Sequence, residues 1–451
     1  MALCCAVTHH PQSPHHAQSP QSPQNVPRSS DRPQSDFDCP QCAQPLKTEP
    51  PYPQWCPSCD WNVVRTPAPA KKARFARLSE RLVHGLHEDV VRSRTDGGGT
   101  SVGAARVATY ALAFLVHLLA PAFLALGGYL VTRWTLFAIL PALVALDLAW
   151  LLRPRPAPFP RDAEPLTREA APNLYALLDR IGDEIGAPRT DLVAVSGSVN
   201  ASFRTYGWRR RRLVEIGYPL WIILTPQERV ALLAHEMAHS RNGDGRHGLV
   251  VGSALYSLGV LRDVTRFGWE PGDGVSRWFA ESLLAVVGLP VRGLIAVMEL
   301  LLYRSSQRAE YRADELAAQV AGVPAMNSCL DSLVTRADPA VRFLDTSVTV
   351  TKTDELWTAL RAAVDTLPDS ERERRRRAAR LGELRVDQTH PPTYLRMEWV
   401  ASLPYSEGRV RAAGLTGAES EGVELMDGEL GTVARRVAHA VKEDARSALY
   451  H

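Results

Sequence analysis

The chain has 451 residues, 52 Lys and Arg against 49 Asp and Glu for a net charge of +3, and 45% of its residues in the hydrophobic class. That length and apolar share predict two or more folded units with a sizeable core and exclude disorder throughout. The near-neutral balance excludes a nucleic-acid binder driven by bulk charge, and seven cysteines, four of them in two CxxC pairs, exclude a secreted disulfide scaffold and point to reducing surroundings.

Residues 1–7 carry no basic group and the apolar run ends at Thr8, His9 and His10, so no secretory signal is expected. Residues 1–37 are expected to be a disordered tail, because Pro, Ser, Gln and His cannot bury enough surface to offset backbone entropy. His9, His10, His15 and His16 are read as polar filler, since nothing nearby orients their rings. The segment CPQCAQPLKTEPPYPQWCPSC then pairs Cys39 with Cys42 and Cys56 with Cys59. Each CxxC turn aims two thiolates at one centre, and four thiolates close a tetrahedral zinc shell. A structural zinc ribbon is therefore expected over 38–63. A redox pair is disfavoured, because a thioredoxin-like site needs a βαβ frame and this stretch is short and Pro-rich.

Residues 64–105 read as a linker with a helix. Residues 107–131 carry no formal charge, and 135–152 continue apolar after Arg133 and Trp134, which predicts a transmembrane hairpin over 106–153. Arg92, Arg94 and Arg106 precede it and Arg153, Arg155 and Arg161 follow, whereas the turn carries Arg133 alone. The positive-inside bias then predicts a multi-pass protein of the cell membrane, with the N-terminus and everything after Arg153 in the cytoplasm and the lipid bilayer as a partner.

Beyond a Pro-rich linker, residues 166–186 read as a helix whose Leu174, Leu177, Leu178 and Ile181 form one core-facing stripe. Strands are expected at 191–196 and 213–218, with a basic loop at 209–212 between them. A further helix is entered through Thr225 as N-cap, Pro226 at its first position and Glu228 at its third. That helix carries ALLAHEMAHSRNGD. His235 and His239, four apart, stack on one helical face with Glu236 beside them. The pattern supplies two zinc ligands and a carboxylate able to take a proton from the attacking water; the alternative is a pair of satisfied core histidines. His247 and Glu310 are candidates for the third ligand. His247 is two residues out of the metzincin register. Glu310 is favoured, because Asp314 follows it by four residues on a helix-forming stretch and could orient a zinc-bound histidine.

HEMAHSRNGD, AEYRAD and THPPTYLR, with NASF at Asn200, make residues 166–400 resemble, by the order and combination of these motifs, the M48 family of membrane zinc endopeptidases, the group of the HtpX-like heat-shock proteases and the CAAX-processing proteases. The resemblance implies a gluzincin-type zinc site from His235, His239 and Glu310 with Glu236 as base. It implies that Asn200, Ala201, Ser202 and Phe203 lie on an edge strand that pairs with an extended substrate. It also implies that His390 and Arg396 approach the cleft and help hold the oxyanion. The zinc ribbon lies outside the resemblance.

If 248–261 and 282–302 cross the membrane, they cross an even number of times, or Glu310 and His235 would end on opposite sides. The first spans only ~21 Å and the second is interrupted by Arg292 and Glu299, so helices lying in the membrane plane or buried in protein are expected. Residues 371–385 hold seven Arg against three Glu and read either as a helix on anionic lipid or as an exposed charged helix. Cys4, Cys5 and Cys329 have no partner at ligand spacing, and residues 401–451 read as a tail with an amphipathic helix near 433–442.

The expected architecture is a mostly helical α+β protein: a gluzincin-type peptidase domain with a small edge sheet over 154–400, preceded by the hairpin and the ribbon. The expected function is a membrane-anchored zinc endopeptidase with one catalytic and one structural zinc, acting on peptides or proteins, membrane proteins among them, and not on nucleic acid. The rival is an inactive membrane adaptor whose ribbon recruits a partner.

Overall fold

The computed structural model describes residues 37–46, 49–64, 104–133, 135–241, 248–269, 272–382, 391–412 and 419–448, with Gly85, Glu88 and Arg92. The tail expected before residue 37, His247 and His390 lie outside the described residues.

Two short strands, β1 (Phe37–Asp38) and β2 (Pro45–Leu46), pair antiparallel at the start of the ribbon. Two apolar helices follow, α1 (Ala104–Val131) and α2 (Leu136–Leu152), packed against one another. Their outward faces are oily, with Phe114, Leu124, Phe137, Leu140 and Trp150 exposed. Water-facing helices would carry polar groups there.

The sheet is built from β3 (Ala163–Leu166), β4 (Leu192–Ser196), β5 (Ala201–Tyr206) and β6 (Arg211–Gly217) in the order β3-β4-β6-β5. β4 and β6 run parallel, and both outer strands run antiparallel to their neighbours. Gly217 ends β6 where the chain comes closest to the loop before β5: its N–H donates to Asn200 O at 2.7 Å, and a Cβ there would sit 1.9 Å from Ser198 O. Between β3 and β4 lies α3 (Pro172–Ile185), whose predicted stripe of Leu174, Leu177, Leu178 and Ile181 is fully buried. The helix starts later than expected, because Ala163–Leu166 joins the sheet.

After β6 come α4 (Tyr218–Ile223) and α5 (Pro226–Arg241), then a π-helical turn Gly248–Gly252 running into α6 (Ser253–Val264). α7 (Val275–Val287) and the 33-residue α8 (Leu289–Ala321) follow. Ala113 and Val116 of α1 pack against Val251, Ala254, Leu258, Ile295, Met298 and Leu302, so α1, α6 and α8 share one apolar cluster. Over 282–302, where helices in the membrane plane or buried in protein are expected, the helices are present and their outward faces are apolar and not covered by protein. Phe279, Leu283, Val286, Val297 and Leu300 are exposed, and Val275–Ala321, like Val107–Val131, is long and apolar enough to cross a membrane. Arg292 does not interrupt the segment, because its guanidinium donates to Ala285 O and Thr265 O at 2.9 and 2.7 Å and so satisfies its charge on backbone carbonyls.

The remaining helices are α9 (Val323–Ser332), α10 (Asp338–Ser347), α11 (Leu356–Asp365), α12 (Asp369–Gly382), α13 (Thr393–Ala401) and α14 (Glu419–Ala448). α14 corrects the reading of 401–451 as a tail. Its Met426, Leu430, Val433 and Val437 enter the main core, Glu429 caps α3 by accepting from the N–H groups of Asn173 and Leu174, and Asp427 accepts from Trp221 and Arg229.

α12 corrects the lipid reading of 371–385. Glu371, Arg374 and Arg375 are buried, and Glu371 takes both arginines at 2.7 and 2.8 Å. Arg374 also donates to Val63 O at 2.7 Å, while Arg377 reaches Asp60 at 2.8 Å and lies 5.2 Å from the centre of the Trp55 ring. These arginines hold the ribbon against the rest of the chain, so their charge is spent inside the protein. Glu371→Ala is expected to destabilise the fold by about 3 kcal/mol, since it leaves two buried guanidinium groups under-compensated. A thermal scan of the detergent-solubilised variant checks this; an unshifted midpoint would show that the network contributes nothing.

Candidate metal and active site

α5 begins as its sequence requires. The Thr225 N–H donates to Glu228 Oε2 at 2.8 Å, the returning arm of a capping box, and the other Glu228 oxygen accepts from Ser328 and Ser332 of α9. The register this sets buries His235, Glu236 and His239 against the core. The two imidazoles, one turn apart, meet edge to face with centroids 5.0 Å apart and Nε2 atoms 3.4 Å apart.

α8 crosses α5 and delivers Glu310, buried, with one carboxylate oxygen 3.4 Å from His235 Nε2 and the other 3.4 Å from His239 Nε2. A tetrahedral zinc with bonds of about 2.05 Å has ligand-to-ligand edges of roughly 3.3 Å, which the separation of the two Nε2 atoms matches, and the Glu310 carboxylate sets one oxygen against each imidazole at a similar distance. The four cysteine sulfurs also converge, with Cys39 to Cys59 at 3.6 Å and Cys42 to Cys56 at 3.5 Å. Those separations are far from a disulfide and near the ~3.8 Å edge of a four-thiolate zinc shell. His235, His239 and Glu310 on one side and Cys39, Cys42, Cys56 and Cys59 on the other could each hold a metal ion.

Behind the histidines Asp314 is fully buried, with Oδ1 2.9 Å from His235 Nδ1. Arg396 from α13 clasps it through Nε at 2.9 Å and Nη2 at 2.6 Å, and Nη2 also lies 3.4 Å from His235 Nδ1. Burial pushes the Asp314 pKa up, but the Arg396 charge and these hydrogen bonds outweigh it and hold the carboxyl below its usual range. Burial alone would lower the His235 pKa; Asp314 and Glu310 reverse that and raise it to about 10. This corner attracts positive charge strongly.

Glu236 points from the same turn towards β5, where its Oε2 accepts from the Phe203 N–H at 3.0 Å. Phe203 therefore turns its backbone away from β6 and towards the open edge of the sheet, and Ala201 shares that parity. Asn200 is half-buried, whereas Ala201, Ser202 and Phe203 are buried. Beside Glu236 opens a narrow pocket whose apolar wall is Leu220, Leu232, Met326, Leu330 and Leu333, with Cys329 behind it. Burial pushes the Cys329 thiol pKa up, so it stays a neutral thiol.

The structure gathers His235, Glu236, His239, Glu310, Asp314 and Arg396 beside the strand that carries Ala201 to Phe203, and holds Cys39, Cys42, Cys56 and Cys59 in a separate cluster, while His390 lies outside the described residues. Two features were missed. One is the Phe203 to Glu236 bond, which only the packing of α5 on β5 creates. The other is Gln307, fully buried one turn before Glu310, whose amide finds no partner among the described residues. Its spacing of three from Glu310 on the same helical face was the available signal.

Among known proteins, the profile of peptidase family M48 matches residues 169–403, just over half of the chain. Protease HtpX of Pseudomonas putida (strain W619) is 32% identical over 182 residues, 38% of this chain and 59% of the relative. The Protease HtpX homolog of Syntrophobacter fumaroxidans is 27% identical over 158 residues, 35% of this chain and 56% of the relative. That of Pyrococcus furiosus is 25% identical over 186 residues, 40% and 62%. The chain therefore spans somewhat more than half the length of the curated relatives it matches. The stretch matched by the family profile runs from α3 to the end of α13 and contains the whole cluster built on α5 and α8, and on that extent of similarity the chain belongs to peptidase family M48.

Proposed function

We propose that the chain is a membrane-anchored zinc endopeptidase. The observation that carries the reading is the convergence of the His235 and His239 Nε2 atoms, 3.4 Å apart, on the buried Glu310 carboxylate, with a second buried carboxylate, Glu236, on the same turn. Zinc held by those three residues would polarise a scissile carbonyl and make water more acidic at neutral pH. Glu236 Oε2 is engaged by the Phe203 N–H, so Oε1 takes the proton from the attacking water and passes it to the leaving amine nitrogen. An inactive adaptor would have no use for a base kept in this position.

Asp314 fixes the ring of His235, and Arg396 fixes Asp314. With Nε and Nη2 both spent on that carboxylate, we assign Arg396 to positioning and leave the oxyanion to His390. A peptide adding to the open edge of β5 would lie along Ala201 and Phe203 beside the apolar pocket. Cys39, Cys42, Cys56 and Cys59 hold a second, structural zinc. The exposed apolar faces of α1, α2, α7 and the first half of α8 support the multi-pass reading, and the arginines on either side of the α1–α2 hairpin support placing the catalytic domain and the ribbon together on the cytoplasmic side.

The test is casein cleavage by detergent-purified protein. Cleavage should stop with 1,10-phenanthroline and return on adding zinc. Cleavage indifferent to the chelator would remove the metallopeptidase reading.

A further inference from the structure

We propose that the turn between β5 and β6 docks on an anionic lipid surface and so sets the β5 edge at the face of the bilayer, an inference that rests on the membrane-anchored reading above. α2 has 17 residues and α1 has 28, so α2 is about 25 Å long against about 42 Å. Only the shorter length approximates a hydrocarbon core of ~30 Å, which puts the bilayer face near the end of α2. That end carries an interfacial pair: Trp150 is exposed and the Arg153 guanidinium lies 3.2 Å from its ring centre.

From Leu152 the chain can travel at most ~18 Å to Ala157, and there it meets the turn. Ala157 O accepts from the Gly207 N–H at 2.9 Å, and Phe159 packs edge-on against Tyr206 at 5.6 Å. The turn itself is tight, with Gly207 and Arg210 at φ of 67° and 52° and the Arg210 N–H donating to Gly207 O. What it presents is Trp208, 82% exposed, followed by Arg209, Arg210 and Arg211, all exposed. Arg212 is different, since it is held on Asp191 at 2.8 Å. Among the described residues no carboxylate makes an ion pair with Arg209 or Arg210.

An indole left in water at the tip of a hairpin loses hydrophobic free energy, whereas at the headgroup level its ring is buried and its N–H is wet. The arginines beside it match anionic headgroups, each adding about fivefold in partitioning. Phe203 is three residues from the end of β5 at Tyr206, about 10 Å along the strand, and Trp208 follows two residues later in the turn. Docking would thus hold Glu236 within a strand's length of the membrane, which selects peptide segments that emerge at its surface.

The experiment reconstitutes the full chain into vesicles of phosphatidylcholine, alone or mixed with phosphatidylglycerol. Wild-type emission minus that of W208F isolates Trp208 among ten tryptophans. That component should be quenched by lipids brominated near the headgroup and shielded from aqueous iodide at least about threefold relative to detergent micelles, most strongly with phosphatidylglycerol. The triple variant R209Q/R210Q/R211Q should lose the dependence on phosphatidylglycerol. If Trp208 stays as open to iodide in mixed vesicles as in micelles while alkaline carbonate leaves the chain in the membrane, the docking is refuted and the anchored reading stands. Release of the chain by carbonate would overturn the anchored reading itself.

Discussion

Glu236→Gln is expected to lower proteolysis by ~100-fold or more while leaving the metal content unchanged. The substitution keeps an oxygen to accept from the Phe203 N–H, which lies 3.0 Å from Glu236 Oε2, so the contact with β5 survives and only the proton acceptor is lost. Glu310→Ala separates base from ligand. It removes one corner of the triangle with His235 and His239, and the two-histidine remainder should not hold zinc in competition with water. Metal analysis should then find the Cys39, Cys42, Cys56 and Cys59 ion alone. Full turnover in Glu236→Gln, or zinc retained at His235 and His239 in Glu310→Ala, would break the assignment at the residue concerned.

Replacing Cys39 and Cys56 together with Ser is expected to do more than remove one zinc. A ribbon hanging on a free tether could be lost without cost to a distant site, but this one is clamped by α12 through Val63 O and Asp60. Without the metal the described part of the ribbon has a small apolar cluster of Cys39, Leu46 and Cys56, with Trp61 against it, to hold its shape. Arg374 then loses a backbone acceptor in a buried position. The disturbance has a path to the site. Arg376 of α12 pairs with Asp331 of α9 at 2.6 and 2.8 Å, and Ser328 and Ser332 of α9 hold Glu228 at the start of α5. Limited trypsinolysis should open α12 at its arginines, the melting temperature should fall by several degrees, and activity on casein should drop several-fold. A variant that keeps its melting temperature and its activity would show that the clamp is idle.

Short-range patterns carried much of this in the sequence. The Thr225 to Glu228 start signal, the spacing of His235 and His239, the two CxxC pairs and the stripe of Leu174, Leu178 and Ile181 are local, because each depends on helix or turn geometry within a few residues. The favoured third ligand, Glu310, was legible because Asp314 shares its helical face. Charge and apolar runs were less informative, because their meaning depends on what lies opposite. The arginines of α12 looked like a lipid-facing or solvated surface until Val63, Asp60, Asp331 and Asp338 were brought against them. Arg292 looked like an interruption until the carbonyls of Ala285 and Thr265 took its charge. The weak amphipathic signal after 401 became α14 only by completing the core beside α3 and α4. By itself the sequence determined which side chains could perform the chemistry and on which helices they ride. Only the tertiary structure decided where Arg396 spends its hydrogen bonds, that Glu236 touches the edge strand, and that the ribbon is braced from within, since ion pairs and packing across tens to hundreds of residues leave no periodic trace along the chain.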